Sequence, residues 1–256
     1  MRKLNSDEIK KFELNILISF AKYCERKNLK YYLAYGTLLG AKRHGGFIPW
    51  DDDIDVIMTR KDYNLLLKYV EQENISDDLD LISIQKGTWD EPIAKIVDKN
   101  TIAYQHSKNK IGLWIDVFPI DYYDDKIFKK NRFLRKILIA KKTKKFSFKA
   151  KDLSKLLLKF GTYPISMMQI SKKMDYKSQS AKESNFYCNS VFSPYPNDVI
   201  QKDWLEQSNI EFEKHIFKTF KDPDLYLTKV YGNYMKLPPV EKRRTHNLEA
   251  YIIKEK

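Results

Sequence analysis

Cysteine is scarce in this 256-residue chain: Cys24 and Cys188 lie far apart and in no metal-ligand spacing. A disulfide scaffold and a cysteine zinc site are therefore excluded. Cys24, on the apolar stripe of a helix, is expected to be a reduced, buried thiol. No apolar run approaches the roughly 18 residues that mark a membrane-spanning helix. A basic-then-apolar opening with a small-residue cleavage site is also missing, so a cytoplasmic protein is expected. There is no internal repeat and no low-complexity linker. Acidic residues nearly vanish from one stretch, where residues 129–182 carry 17 Lys or Arg and 2 Asp or Glu. The net charge of +13 is concentrated there, and the rest of the chain is close to neutral.

What is present suffices for a core. An apolar content of 43% with 14% aromatics is that of a folded protein, and the length permits a large domain with a subdomain. Helical periodicity runs over residues 6–27 through Ile9, Phe12, Ile16, Leu17, Phe20 and Cys24, with Asn5 and Glu8 spaced as a capping pair. A short strand at 31–34, a turn at Gly36-Thr37, a short helix over 38–42 and a glycine-bearing loop to Pro49 follow. Thr59 and Asp62 open a helix to about residue 72, with Leu65, Leu66 and Tyr69 on its buried face. Strands are expected at 79–85, 94–98, 102–105 and 111–119. Beyond Asp121 the pattern is helical and basic, and further helices are expected around 225–235 and after Pro239. The layout is α+β. It comprises a mixed-sheet catalytic core over 1–125, a basic helical subdomain over 126–190, and a C-terminal helical part over 191–256 that completes the site.

Four aspartates crowd positions 51, 52, 53 and 55. Like charges this close push one another's pKa upward, and a bound divalent cation reverses that. The plain alternative is a solvated acidic loop. Against it, Pro49 and Trp50 fix the entry to the run, and Ile54, Val56 and Ile57 make its exit a β-branched strand. On that strand Asp53 and Asp55 leave one face while Ile54 and Val56 enter the core. Two convergent oxygens suit Mg²⁺ (or Mn²⁺), a hard ion that keeps waters and takes further ligands from phosphates. Asp116, alone in the apolar run 111–119, is the natural third carboxylate. An acid satisfied by backbone amides at a strand end is the alternative. The chemistry indicated is phosphoryl or nucleotidyl transfer.

Several stretches together resemble the LicD family of phosphotransferases, relatives of the nucleotidyltransferase fold. They are Tyr35-Gly36-Thr37-Leu38-Leu39-Gly40, Arg43-His44, Gly46-Phe47-Ile48-Pro49-Trp50-Asp51-Asp52-Asp53-Ile54-Asp55 and Trp114-Ile115-Asp116-Val117-Phe118-Pro119. A late piece, Tyr231-Gly232-Asn233-Tyr234 through Pro239 with Arg243 and His246, belongs with them. The likeness covers roughly 9–118 and 204–251 and leaves the basic stretch unmatched. It implies a nucleotidyltransferase-like mixed sheet flanked by helices, and a metal-dependent transferase. Such an enzyme moves a phosphorylated alcohol, phosphocholine foremost, from a CDP-linked donor to a hydroxyl of a cell-surface glycan, releasing CMP. CDP-ribitol or CDP-glycerol would serve in the same reaction. The resemblance also implies that Gly36 and Thr37 embrace the donor's phosphates while Asp53, Asp55 and Asp116 hold the cation and act as catalytic residues.

The residues add further substrate contacts. Arg43 offers a bidentate phosphate partner, and Lys95 places a charge among apolar neighbours. Trp50 and Trp114 are among the aromatic faces that a quaternary ammonium would seek, and Arg243 and His246 lie in the late matching piece. A surface charge is the alternative for Arg43, and a snorkelling side chain for Lys95. Asp116 or Asp121 is a candidate to take the proton of the sugar hydroxyl.

Two other functions fit parts of the sequence. A nucleotidyltransferase releasing pyrophosphate would use the same carboxylates. A nucleic-acid-binding protein would use the basic stretch, although no groove-reading motif accompanies it. The preferred partner of that stretch is an anionic membrane surface at the inner face of the cell membrane, beside a lipid-tethered glycan acceptor. Leu156, Leu157, Leu158, Phe160, Met167 and Met168 would lie in the interface. The alternative makes them the core of a helical subdomain.

Overall fold

The computed structural model describes every residue except 105–109, 144–149, 192–197, 244, 246–247 and 254–256. In chain order its elements are β1 (Arg2–Lys3), α1 (Ser6–Arg26), β2 (Tyr32–Leu33), α2 (Tyr35–His44), β3 (Asp55–Thr59), α3 (Arg60–Val70), β4 (Leu79–Ser83), β5 (Ala94–Asp98), β6 (Thr101–Tyr104) and β7 (Trp114–Tyr122). Then come α4 (Asp125–Lys142), α5 (Ala150–Gly161), α6 (Met167–Gln179), β8 (Phe186–Cys188), β9 (Val199–Gln201), β10 (Gln207–Phe212), β11 (His215–Phe220), α7 (Pro223–Tyr231) and β12 (Glu249–Ile252). The fold is α+β. The chain divides into two compact units, one of Met1–Leu81, Lys95–Pro119 and Lys202–Lys256, the other of Ile82–Ala94 and Ile120–Gln201.

In the first unit α1 starts on the expected capping box: the Asn5 side chain accepts from the Glu8 N–H at 2.9 Å, and Glu8 returns the bond to Asn5. It stops before Asn28, which takes a left-handed φ of 52°. Its buried face carries Ile9, Ile16, Leu17, Phe20, Tyr23 and Cys24, and also one acid, Glu13. The main sheet is ordered β2-β3-β7-β5-β4, with β2 antiparallel to β3 in the register Tyr32↔Ile57 and Leu33↔Val56. α3 follows its Thr59 cap as the sequence predicts, but it buries Tyr63, Leu66, Leu67 and Val70 rather than Leu65 and Tyr69.

The turn read at Gly36-Thr37 is instead the first turn of α2. Leu38 N–H already donates to Ala34 O at 3.0 Å, and Tyr35 accepts a left-handed φ of 47° so that the helix starts there. Packing holds that strained residue: its ring sits edge-on to Phe118 at 5.5 Å and near Tyr226 at 6.4 Å. After Pro239 the described residues form a 3₁₀ turn, Val240–Lys242, and then β12. The helix expected there loses to tertiary pairing, because β12 lies antiparallel between β1 and β6.

The second unit packs α4 and α6 around Ile137, Leu138, Ile170, Met174 and Val191, with Leu134, Leu158 and Met167 against them. Leu158 and Met167 therefore belong to a helical core. Leu153, Leu157 and Phe160 of α5 stay 56–68% exposed, a stripe spaced four and three residues apart on one face. Among the described residues no helix is long and apolar enough to cross a membrane.

One contact in the first unit fixes the loop leading to the aspartates. Gly40 of α2 lies against the Gly46 carbonyl, and a Cβ there would also stand 3.2 Å from Ile48 N. Gly40→Ala is therefore expected to cost about 1–3 kcal/mol, read as a lower urea midpoint at unchanged slope.

Candidate active site

The acidic run is delivered to the start of β3, beside β7, by two backbone ties. Asp116 N–H donates to Ile54 O at 2.9 Å, which sets β7 beside the start of β3. The Thr37 hydroxyl oxygen accepts from Asp55 N–H at 2.8 Å. The strand begins at Asp55 rather than Asp53, yet the expected alternation is there: Ile54 and Val56 are fully buried, while Asp53 and Asp55 remain partly accessible. Thr37, expected to donate to phosphate, is itself buried and serves to hold Asp55 in place.

Burial pushes the Asp55 carboxyl well above the usual range; Asp53, Asp116 and Asp51 push the same way and Lys95 opposes them. Lys95 is neither a surface charge nor a snorkelling one. It is 4% exposed, pairs with Asp116 Oδ1, and lies 4.4 Å from the centre of the Trp114 ring. Trp114 Nε1–H donates to the other oxygen, Oδ2, at 3.3 Å. Asp116 is thus held from two sides, by groups from β5 and from β7 itself. Asp121 lies five positions along β7, so the pleat turns it to the opposite face, and it is 2% exposed.

Among the described residues no three His, Cys, Asp or Glu side chains close into a ready metal cage. Mg²⁺ does not need one, since it is held by one or two carboxylates, waters and substrate phosphates. An open edge of hard oxygen donors fits that demand. A second observation fits it too: Glu13 of α1 is 1% exposed, its Oε2 has no hydrogen-bond partner among the described residues, and burial together with Asp53, Asp52, Asp116 and Asp51 pushes its pKa well up.

A cationic corner adjoins the acids through Trp50. The Arg243 guanidinium stacks 4.5 Å from the Trp50 ring centre, and the His44 ring stands edge-on to it at 6.1 Å. Arg43 donates from Nε to His44 Nε2 at 3.0 Å and from Nη1 to Tyr234 O at 2.8 Å. Burial, then the neighbouring Arg243, pulls the Arg43 pKa down; burial and Arg43 do the same to His44. Trp50 and Trp114, offered above to a quaternary ammonium, each already carry one of the chain's own cations on one face. Gly36 lies beneath the Asp51 carboxylate, where a Cβ would be 2.9 Å from Oδ2. The first-turn amides of α2, which Ala34 does not cap with a side chain, favour negative charge there. His246 falls outside the described residues.

Sequence reading missed three residues that shape this site. Glu213, in the β10–β11 turn, accepts from Phe47 N–H at 3.0 Å, and its own N–H donates to Gly45 O at 3.0 Å. No local pattern announces that clamp. Lys10 donates to Ile48 O and Pro49 O, both at 3.4 Å. Glu13 was legible, since it falls four residues after Ile9 and three before Ile16 on an otherwise apolar stripe.

The family model described as LicD/FKTN/FKRP, nucleotidyltransferase domain, matches residues 28–170. The chain is similar to the lipopolysaccharide cholinephosphotransferase LicD of Haemophilus influenzae, with 32% identity over 272 residues, 99% of this chain and 100% of that protein. It is similar to an uncharacterized protein of Rickettsia prowazekii, 34% identical over 68 residues, 23% of this chain and 26% of that protein. The ribitol 5-phosphate transferase FKRP of Mus musculus is 31% identical over 97 residues, 37% of this chain and 17% of that protein.

The raised Asp55 pKa has a signed consequence. A carboxyl whose folded pKa exceeds its unfolded value of about 3.8 contributes stability at low pH that is lost as pH climbs through the folded value. Without divalent metal, Asp55→Asn is therefore expected to be more stable than the parent at pH 8, with the gap closing toward pH 4, in urea unfolding at each pH.

Proposed function

Because the chain belongs to the LicD family of phosphotransferases, we propose that it transfers a phosphorylated alcohol from a CDP-linked donor to a glycan hydroxyl, releasing CMP. Phosphocholine is the group favoured by the relative that spans 99% of the chain. Ribitol phosphate, through CDP-ribitol, is the second reading, favoured by the shorter match to FKRP. The observation that carries the reaction type is the tie of Asp116 N–H to Ile54 O, which sets Asp116 beside Asp53 and Asp55, together with Arg243 stacked on Trp50 at the entry to the same acidic run.

Phosphoryl transfer asks chiefly for positioning and for neutralising charge on phosphate oxygens. Asp53, Asp55 and Asp116 would hold Mg²⁺ or Mn²⁺, which would supply part of that neutralisation. The protein supplies the rest. Arg43 and Arg243 pair with donor phosphate oxygens, a geometry suited to guanidinium. The Gly36 amide, unobstructed by a Cβ, offers a donor at the positive end of α2. Lys95 keeps Asp116 in place, and Trp50 holds the plane of Arg243. His246 is retained as a substrate contact on the strength of the family motif alone.

We also propose that the second unit rests on an anionic lipid surface on the cytoplasmic side, where a lipid-tethered acceptor would be met. Its support is the exposed stripe Leu153, Leu157 and Phe160 beside the basic helices. Vesicles rich in phosphatidylglycerol are expected to co-sediment the protein at low salt and release it at high salt. Sedimentation indifferent to lipid charge would remove this part of the proposal.

A donor panel tests the reaction. CDP-choline, CDP-ribitol, CDP-glycerol and CTP are each incubated with acceptor glycan, Mg²⁺ or Mn²⁺ and the protein. CMP from CDP-choline is expected, with Asp53→Asn and Asp55→Asn each lowering turnover roughly a hundredfold or more. Pyrophosphate from CTP would assign a nucleotidyltransferase instead, and near-normal turnover by both variants would sink the carboxylate assignment. Tight DNA binding without turnover on any donor would give the function to the basic helices.

A further inference from the structure

Glu13 is unexplained by its surroundings. α1 turns Ile9, Ile16, Leu17 and Phe20 into the core, and Glu13 occupies the middle of that stripe at 1% exposure. A buried carboxyl is costly unless something satisfies it, and among the described residues Oε2 has no hydrogen-bond partner. The nearest candidate counter-charge on the same helix is committed elsewhere. Lys10, one turn earlier, reaches the carbonyls of Ile48 and Pro49 and lies 5.4 Å from the centre of the Phe47 ring. That anchor ties α1 to the loop entering the aspartate run. The groups acting on Glu13 are four aspartates, 53, 52, 116 and 51, all of the same sign. A structural acid would be expected to have a donor, and among the described residues this one has none at Oε2.

We propose that Glu13 is a further oxygen donor of the divalent-cation site, delivered from α1 to the carboxylates of β3 and β7. A cation shared with those aspartates gives Oε2 the partner that the polypeptide withholds. The inference rests on the metal-dependent reading above and extends it to a residue outside the acidic motif. It also accounts for an acid placed on the buried face of α1, where an apolar residue would pack at no electrostatic cost.

The test measures Mn²⁺ affinity directly, by electron paramagnetic resonance of free Mn²⁺, on the full chain without donor or acceptor. Parent, Glu13→Gln, Glu13→Met and Asp53→Asn are compared, with far-UV circular dichroism and metal-free melting temperature as controls. Glu13→Met fills a similar volume without a polar atom and is expected to fold at least as stably as the parent. Both Glu13 variants are expected to weaken Mn²⁺ binding tenfold or more and to shrink the Mn²⁺-induced rise in melting temperature. If Asp53→Asn abolishes binding while both folded Glu13 variants stay within twofold of the parent, Glu13 is a structural acid and the proposal is overturned. Loss of metal-free stability in Glu13→Met with Mn²⁺ affinity retained would overturn it equally. If the parent itself binds no Mn²⁺, the metal-dependent reading fails before the Glu13 question arises.

Discussion

Lys95 and Asp116 meet in a nearly buried ion pair between β5 and β7, and the carboxylate edge depends on it. Two unit charges at 4 Å attract by about 4 kcal/mol at an effective dielectric of about 20. Neighbouring acids repel by the same law, more weakly the farther apart they lie. One lysine therefore cannot balance Asp51, Asp53, Asp55 and Glu13 together. The Asp55 carboxyl stays raised despite Lys95, first by burial and then by the neighbouring aspartates. Removing Lys95 alone would leave Asp116 uncompensated in a dry setting, a change worth about 3–5 kcal/mol in other buried pairs.

An edge under that repulsion holds its shape only if the backbone around it is stiff. The aspartate loop is fastened by separate elements of the first unit: Thr37 of α2 on Asp55, Lys10 of α1 on Ile48 and Pro49, and Glu213 of the β10–β11 turn on Phe47. Close approach of Gly40 to Gly46 completes the fastening. Each tie is a hydrogen bond worth of order 1 kcal/mol net, and they act on a segment of a few residues. At the entry to the run, Arg243 lies over the Trp50 ring and donates to Pro238 O, while Arg43 donates to Tyr234 O. The phosphate-bearing donor and cation proposed above would suit carboxylates with guanidinium groups at the entry to their run.

Much of this was legible along the chain. Asn5 and Glu8 announced the start of α1, Thr59 and Asp62 that of α3, and the acid-apolar alternation at 53–56 the face of Asp53 and Asp55, because each signal is local and repeats at a backbone period. The helix read after Pro239 was wrong because β12 is decided by strands β1 and β6, which lie far away in sequence. The turn read at Gly36-Thr37 was wrong because Tyr35 pays for a left-handed φ with ring contacts to Phe118 and Tyr226, invisible to any local window.

The sequence by itself determined which atoms are available: a dense run of carboxylates, a lone Asp116, paired arginines, and a basic helical stretch. Those are matters of composition and spacing, and short-range sterics convert them into elements. Only the tertiary structure decided their company. It set Lys95 on Asp116, Arg243 on Trp50, Asp51 over Gly36, and Glu13 against four like charges. Partners across a sheet or between a helix and a loop are chosen by packing and desolvation over distances in sequence that no periodicity spans.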